Sequence, residues 1–148
     1  MAQNLDDALE LLIPIIQEFE GCKLMAYKCP AGVWTCGWGE TGPGIGPYTK
    51  WTQEIADNIL RHTASLVLAD LIDASPSLVD ASTNRIAALA DFVYNLGIGA
   101  YKKSSLKLRV DQGNWASAAT EIKKWDKCKG EPLAGLTRRR AIEAEMLK

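Results

Sequence analysis

What is scarce in these 148 residues narrows the field first. Histidine occurs once, at His62, on the polar side of a helical pattern where it reads as solvated. A zinc site would therefore fall to Cys22, Cys29 and Cys36, with Cys128 far downstream. Those three recur every seven residues, unlike the close C-x(2 to 4)-C pairs of structural zinc sites, so no metal is expected. Long apolar runs are also missing. The N-terminal one, Leu11 to Ile16, falls far short of the ~18 to 20 residues of a membrane span. Asp6 and Asp7 stand where a signal peptide wants Lys or Arg. The chain is expected to be made and kept in the cytoplasm, with its four cysteines as thiols. With no internal repeat and no low-complexity linker, one domain over 1-148 is expected.

What is present fits that frame. Hydrophobic residues make up 47% and charged residues 24%, enough to bury a core without staples. The formal charge of −1 hides an asymmetry: residues 1-96 carry 5 basic and 12 acidic side chains, residues 97-148 carry 12 and 6. The C-terminal part therefore leans toward anionic surfaces, although solvated helix faces give the same pattern.

Periodicity supplies the elements. Asn4 reads as an N-cap, and Leu5, Ala8, Leu9, Leu12, Ile16 and Phe19 repeat at helical spacing, with Pro14 expected to kink or split the helix. A hairpin follows: Leu24 to Lys28, a turn at Pro30-Ala31-Gly32, then Val33 to Trp38. After a Gly/Pro-rich loop, Thr52 caps a long helix with the stripe Ile55, Ile59, Leu66, Val67 and Leu71, ending before Pro76. Further helices open at Ser82 or Thr83 (closed by Gly97), at Ser104 or Ser105, at Asn114, and over Leu136 to Leu147. The fold class is α+β, mostly helical with one small sheet near the N-terminus.

The hairpin region also carries chemistry. Eight residues separate Glu20 from Cys29, and five separate Cys29 from Thr35, the start of T-x-G-x-G. Downstream stand Asn95-Leu96-Gly97, Ser104-Ser105-Leu106, Trp125, and Gly135-Leu136-Thr137-Arg138-Arg139-Arg140 through Glu143. Over roughly residues 10 to 147 the chain resembles the phage-type lysozymes, glycoside hydrolase family 24. That resemblance implies a lysozyme-like fold: a small lobe over 20-51, a bridging helix over 53-74, and a helical lobe from 1-19 and 75-148. It implies a muramidase that cuts the β-1,4 bond between N-acetylmuramic acid and N-acetylglucosamine. The catalytic set would be Glu20, Cys29 and Thr35, with Cys29 where most members have Asp. Asn95 would line the cleft. The resemblance further implies peptidoglycan strands as the partner, no nucleic acid, no cofactor, a monomer, and release to the cell wall by a separate holin.

The residues can be weighed beside the resemblance. Glycoside cleavage needs a protonated carboxyl at the leaving oxygen, and Glu20 is the candidate, with Phe19, Tyr27, Trp34 and Trp38 expected to shield it from water. The opposite face of the sugar needs a base or a nucleophile. A Cys29 thiolate is a strong nucleophile but a poor copy of a carboxylate base, and a buried structural cysteine is the plainer reading. Thr35 would orient a water or the sugar. Trp34 and Trp38 are candidates for stacking on glycan, although strand aromatics are more often core. Cys22 and Cys29 would cage the catalytic sulfur if the chain doubled back and they oxidised together. Glu40 stands where the family usually has His, either as a replaced polar contact or as a substitute carboxylate. Arg138 to Arg140 read as a helix-packing and surface ion-pair cluster. A lytic transglycosylase, which needs no second carboxylate, and an inactive peptidoglycan-binding domain are the alternatives.

Overall fold

The computed structural model describes residues 3–148, so residues 1 and 2 of the expected helical lobe lie outside the described residues. Helix α1 (Gln3–Glu20) leads into strand β1 (Lys23–Lys28) and strand β2 (Trp34–Gly37). Helix α2 (Gln53–Ala74) follows, then a 3₁₀ turn (Pro76–Asp80) and helices α3 (Thr83–Leu96), α4 (Ile98–Lys103), α5 (Ser105–Asp111) and α6 (Trp115–Ile122). A two-residue ribbon, β3 (Lys127–Cys128) with β4 (Glu131–Pro132), precedes helix α7 (Ala134–Leu147). The architecture is mostly helical with a small hairpin, as the sequence pattern requires.

The core forms around α3. Every residue from Ile86 to Val93 is buried, including Asp91, because α1, α2 and α7 pack against this helix and α4 adjoins its end. A helix covered on all sides reads as nearly continuously apolar, which is the pattern of I-A-A-L-A-D-F-V. Ser82 caps it by accepting from the Arg85 N–H at 3.3 Å, and Gly97 closes it with φ +91°. Ser104 and Asn114 cap α5 and α6 in the same way.

Three local expectations are corrected. Pro14 does not split α1 into two pieces, since the helix is continuous over 18 residues; Pro14 is exposed, where water can take up the backbone carbonyl it leaves unpaired. Asn4 is not the N-cap but lies within α1, its amide donating to the Val79 carbonyl. The buried stripe of α2 is Ala56, Leu60, Ala64, Leu68 and Leu71, while Ile55 and Leu66 are exposed. Thr52 does cap α2, accepting from the Ile55 N–H at 3.2 Å.

The hairpin is antiparallel, with Tyr27 opposite Thr35, Lys28 opposite Trp34, and an irregularity between Lys23 and Tyr27. The returning segment covers the other edge of β1: Ala26 N–H donates to the Thr49 carbonyl and Trp51 N–H to the Leu24 carbonyl. Neither backbone edge of β1 is therefore left open along its middle.

Candidate active site

Glu20 is the last residue of α1, where Gly21 takes φ +65° and turns the chain toward the hairpin. Its carboxylate is gripped from both sides. Arg139, on α7, donates through Nη1 to Glu20 Oε2 at 2.7 Å. Glu20 Oε1 lies against Gly39: a Cβ there would come within 2.5 Å of that oxygen, and Gly39 also has φ +80°. Any other residue at position 39 would displace the acid.

Arg139 is itself fixed from behind. Its Nε and Nη2 donate to the two oxygens of Asp91 at 2.9 and 2.7 Å, a bidentate pair with both residues buried. Arg140 makes a second buried fork onto Glu143 at 2.6 and 2.8 Å and lies over the Phe92 ring, which meets Trp125 edge to face. Burial by itself would push the Asp91 carboxyl up, but hydrogen bonds from Arg139 and Glu143 and the two guanidinium charges hold it below the usual carboxylate range. Burial drives Glu143 the other way, well above that range, and Asp91 adds to the effect. The structure divides the arginine run between the two roles read from the sequence, helix packing and surface ion pairing. Only Arg138 is a surface residue, paired with Glu18 and stacked on Phe19, whereas Arg139 and Arg140 face inward.

An open pocket of about 390 Å³ lies at this point, lined by Phe19, Glu20, Asn95, Arg139 and residues 133–136. The Asn95 Oδ1 is buried there without a hydrogen-bond partner. The aromatic shield expected around Glu20 is thus replaced in large part by an ion pair. Trp38 is packed against the core with its indole N–H given to Asp57 at 2.8 Å, so its ring is a structural element and not a free stacking face.

The hairpin side is built differently. Cys29 closes β1 into the turn, its N–H donating to the Val33 carbonyl and its carbonyl accepting from Gly32. The Val33 backbone N–H, together with those of Ala31 and Gly32 and the Thr35 hydroxyl, holds the Cys29 thiol below its ordinary range. Thr35 has one hydroxyl proton, and here it goes to the Val33 carbonyl at 2.9 Å. Ionising the Cys29 thiol gives that proton a second acceptor. Trp34 is half-buried, with the Lys28 ammonium over its ring. Tyr27 connects the two sides: burial, then the charges of Glu20 and Cys29, push its phenol up.

The four cysteines are free thiols. The Cys22–Cys29 cage is corrected for this conformation, because β1 runs extended between them. At ~3.3 Å per residue they stand on the order of 20 Å apart, against the ~6 Å that a disulfide spans between Cα atoms. Cys22 instead accepts from Gln53 Nε2 at 3.6 Å. Cys36 is buried, which pushes its thiol up. His62 is exposed, and among the described residues no group of three or more His, Cys, Asp or Glu is placed to hold a metal ion. No helix among them is long and apolar enough to cross a membrane.

The phage lysozyme family profile matches residues 17–143. The chain belongs to the phage lysozyme family. An endolysin of Acyrthosiphon pisum secondary endosymbiont phage 1 is 34% identical over 139 residues, 90% of this chain and 92% of that protein. The endolysin of Bacillus phage B103 is 34% identical over 135 residues; the match covers 88% of this chain but half of that longer protein. Among solved structures, the muramidase domain of SpmX from Asticaccaulis excentricus superimposes with a TM-score of 0.80 at 29% identity, over 93% of this chain and 94% of that one.

The residues missed from sequence in this family member are Arg139 and Asp91. A signal was available for both. A single acid inside the apolar run of α3 demands a cationic partner, and three successive helical arginines point about 100° apart, so they cannot all face water.

Proposed function

We propose that this phage lysozyme relative is an endolysin-type muramidase that hydrolyses the β-1,4 bond between N-acetylmuramic acid and N-acetylglucosamine in peptidoglycan. The observation that carries this reading is the Glu20 carboxyl at the rim of a pocket, oriented by Arg139 through Oε2 and bounded by Gly39 at Oε1. Oε2 is committed to the guanidinium, so Oε1 is the oxygen that carries the proton to the leaving glycosidic oxygen. The small lobe over 20-51 and the helical lobe over 1-19 and 75-148, joined by α2, flank the substrate cleft.

Cys29 stands in for the carboxylate usual at this position. Its thiolate, favoured by the backbone N–H groups of the turn, either attacks the anomeric carbon or holds the attacking water, and Thr35 steadies it. If it attacks, the C–O bond breaks as the C–S bond forms and Glu20 gives its proton to the departing oxygen; water, yielding a proton back to Glu20, then forms the new C–O bond as the C–S bond breaks and the thiolate leaves. Trp34 and Asn95 contact glycan, Asn95 through the carbonyl oxygen that has no protein partner. No cofactor enters. The enzyme acts as a monomer, waits in the host cytoplasm, and reaches the wall when a separate holin opens the membrane.

Digestion of purified peptidoglycan by reduced protein, followed by mass spectrometry, tests this. Products that have gained water, lost in Glu20→Gln by roughly 10²- to 10⁴-fold in rate, are expected. Anhydro-muramic ends would replace hydrolysis with transglycosylation. Binding to sacculi without release would leave only a binding domain.

A further inference from the structure

Glu40 is buried to 8% exposure at the end of the T-x-G-x-G turn, and the reaction above makes no use of it. Its surroundings constrain its proton. Tyr94, on α3, has one hydroxyl hydrogen and two oxygen neighbours: the Trp38 carbonyl at 2.6 Å and Glu40 Oε1 at 3.1 Å. A carbonyl only accepts, so the shorter contact takes the tyrosine proton. At 3.1 Å the Glu40 contact receives at most a share of that hydrogen, and it becomes a full two-centre hydrogen bond when Glu40 itself donates. We infer that Glu40 is a positioning residue that works as a neutral acid: it donates to Tyr94, which frees the Tyr94 proton to fasten the Trp38 carbonyl and with it the turn that sets Gly39 against Glu20.

The setting agrees. Burial pushes the Glu40 carboxyl up, and the charge of Glu20 adds to this. Thr63 and Tyr94, which hydrogen-bond to the ionised form, pull down, as does His62. The ionisable groups acting on it are thus Glu20 from α1, His62 from α2 and Tyr94 from α3. Its backbone is pinned as well, exchanging N–H to carbonyl bonds with Cys36 at 2.9 Å each way, so the side chain cannot readily swing out to water. When Glu40 ionises, its carboxylate competes for the Tyr94 proton, the Trp38 carbonyl loses its donor, and a second negative charge appears near Glu20. The position does not supply a substitute for the missing Asp. It secures the turn against the acid.

Thermal unfolding of wild type and Glu40→Gln between pH 4 and pH 8 tests the protonation state without reference to catalysis. Glutamine donates to Tyr94 at every pH. A carboxyl whose folded value lies above its unfolded value contributes stability that is complete below the unfolded value, about pH 4.3, and is lost as pH rises through the folded value. The melting temperature of Glu40→Gln should therefore gain on wild type as pH rises, by roughly 3–5 °C. A glutamate carboxyl carbon titrating above the ordinary range should appear in ¹³C NMR of wild type and be missing in the variant, while that of Glu143 persists.

The functional half of the inference rests on the muramidase reading. There the wild-type kcat should fall, by up to about tenfold, over an alkaline step that Glu40→Gln lacks, with little change in KM. A constant melting-temperature gap with no such carboxyl resonance overturns the inference and leaves the muramidase reading intact. Equal alkaline steps in both proteins overturn the positioning role. Undiminished activity in Glu20→Gln overturns the muramidase reading instead, and the stability and NMR results still decide the state of Glu40.

Discussion

The two sides of the site are made to different tolerances. On the helical side, Glu20 is held by Arg139, Arg139 by both oxygens of Asp91, and Asp91 lies inside α3 with no exposure. Each group has its partners at hydrogen-bond distance in a medium where an unpaired charge is expensive. On the hairpin side, Cys29 sits at the start of the turn, next to exposed Pro30, Ala31, Gly32 and Val33, steadied by backbone N–H groups and one hydroxyl. In the reaction proposed above, a proton donor must meet its oxygen at a defined angle, whereas a nucleophile or water-holder approaches an open face. That asymmetry is consistent with a sulfur standing at position 29 while the acid side is fixed by buried charge.

The sharpest way to break this contrast is to cut the buried chain behind the acid. Asp91→Ala leaves the Arg139 guanidinium with one of its two carboxylate partners gone, and should cost about 3–5 kcal/mol in urea unfolding. Replacing Asp91 and Arg139 together by leucine should cost less in stability than Asp91→Ala, because no uncompensated charge remains, yet should still impair cleavage by releasing Glu20. If the double variant keeps full activity, Arg139 does not position the acid. The pH dependence has a definite sign. The folded Asp91 carboxyl lies below its unfolded value, so its contribution is present above about pH 3.9 and is lost as pH falls through the folded value. Asp91→Asn should flatten that acid limb.

Much of this was legible in the chain, for reasons that particular residues make clear. Thr52, Ser82, Ser104 and Asn114 announce helix starts because a short side-chain oxygen answers a backbone N–H two or three residues on, a local matter. The hairpin is equally local, written in Pro30-Ala31-Gly32. What depends on packing was harder. In α2 the apolar residues surround more than one stripe, and the buried one runs through the small residues Ala56 and Ala64, on a helix that packs against α1, α3 and β2; hydrophobicity alone favours the exposed Ile55 and Leu66. Trp38 shows the same limit, since its N–H partner Asp57 lies on another element. Arg139 reaches Glu20 across 119 residues of sequence, and no local pattern encodes that meeting.

On the hairpin side, thiol reactivity sharpens the comparison at smaller amplitude. Cys29 and Cys36 lie seven residues apart in one hairpin but are shifted in opposite directions, Cys29 down by the turn's N–H groups and Cys36 up by burial. Iodoacetamide should therefore label Cys29 first, with a rate midpoint below the ~8.5 of an ordinary thiol, while Cys36 stays protected until the hairpin opens. Peptide mapping after brief alkylation at several pH values reads this directly. Equal labelling of the two would mean that the turn gives Cys29 no special character.

The smallest effect should come from Thr35, and it separates two accounts of that residue. If Thr35 serves only β-structure, Thr35→Val keeps the branched shape on β2 opposite Tyr27, loses the bond to the Val33 carbonyl, and costs about 0.5–1.5 kcal/mol with no change at Cys29. If its hydroxyl also turns to the thiolate, the same substitution moves the Cys29 alkylation midpoint upward, because the ionised sulfur loses a donor that the thiol never needed. Thr35→Ser restores the hydroxyl without the methyl and should bring the midpoint back. The backbone donors from Val33, Ala31 and Gly32 remain in every variant, so the shift is a fraction of the whole depression at Cys29, not its removal.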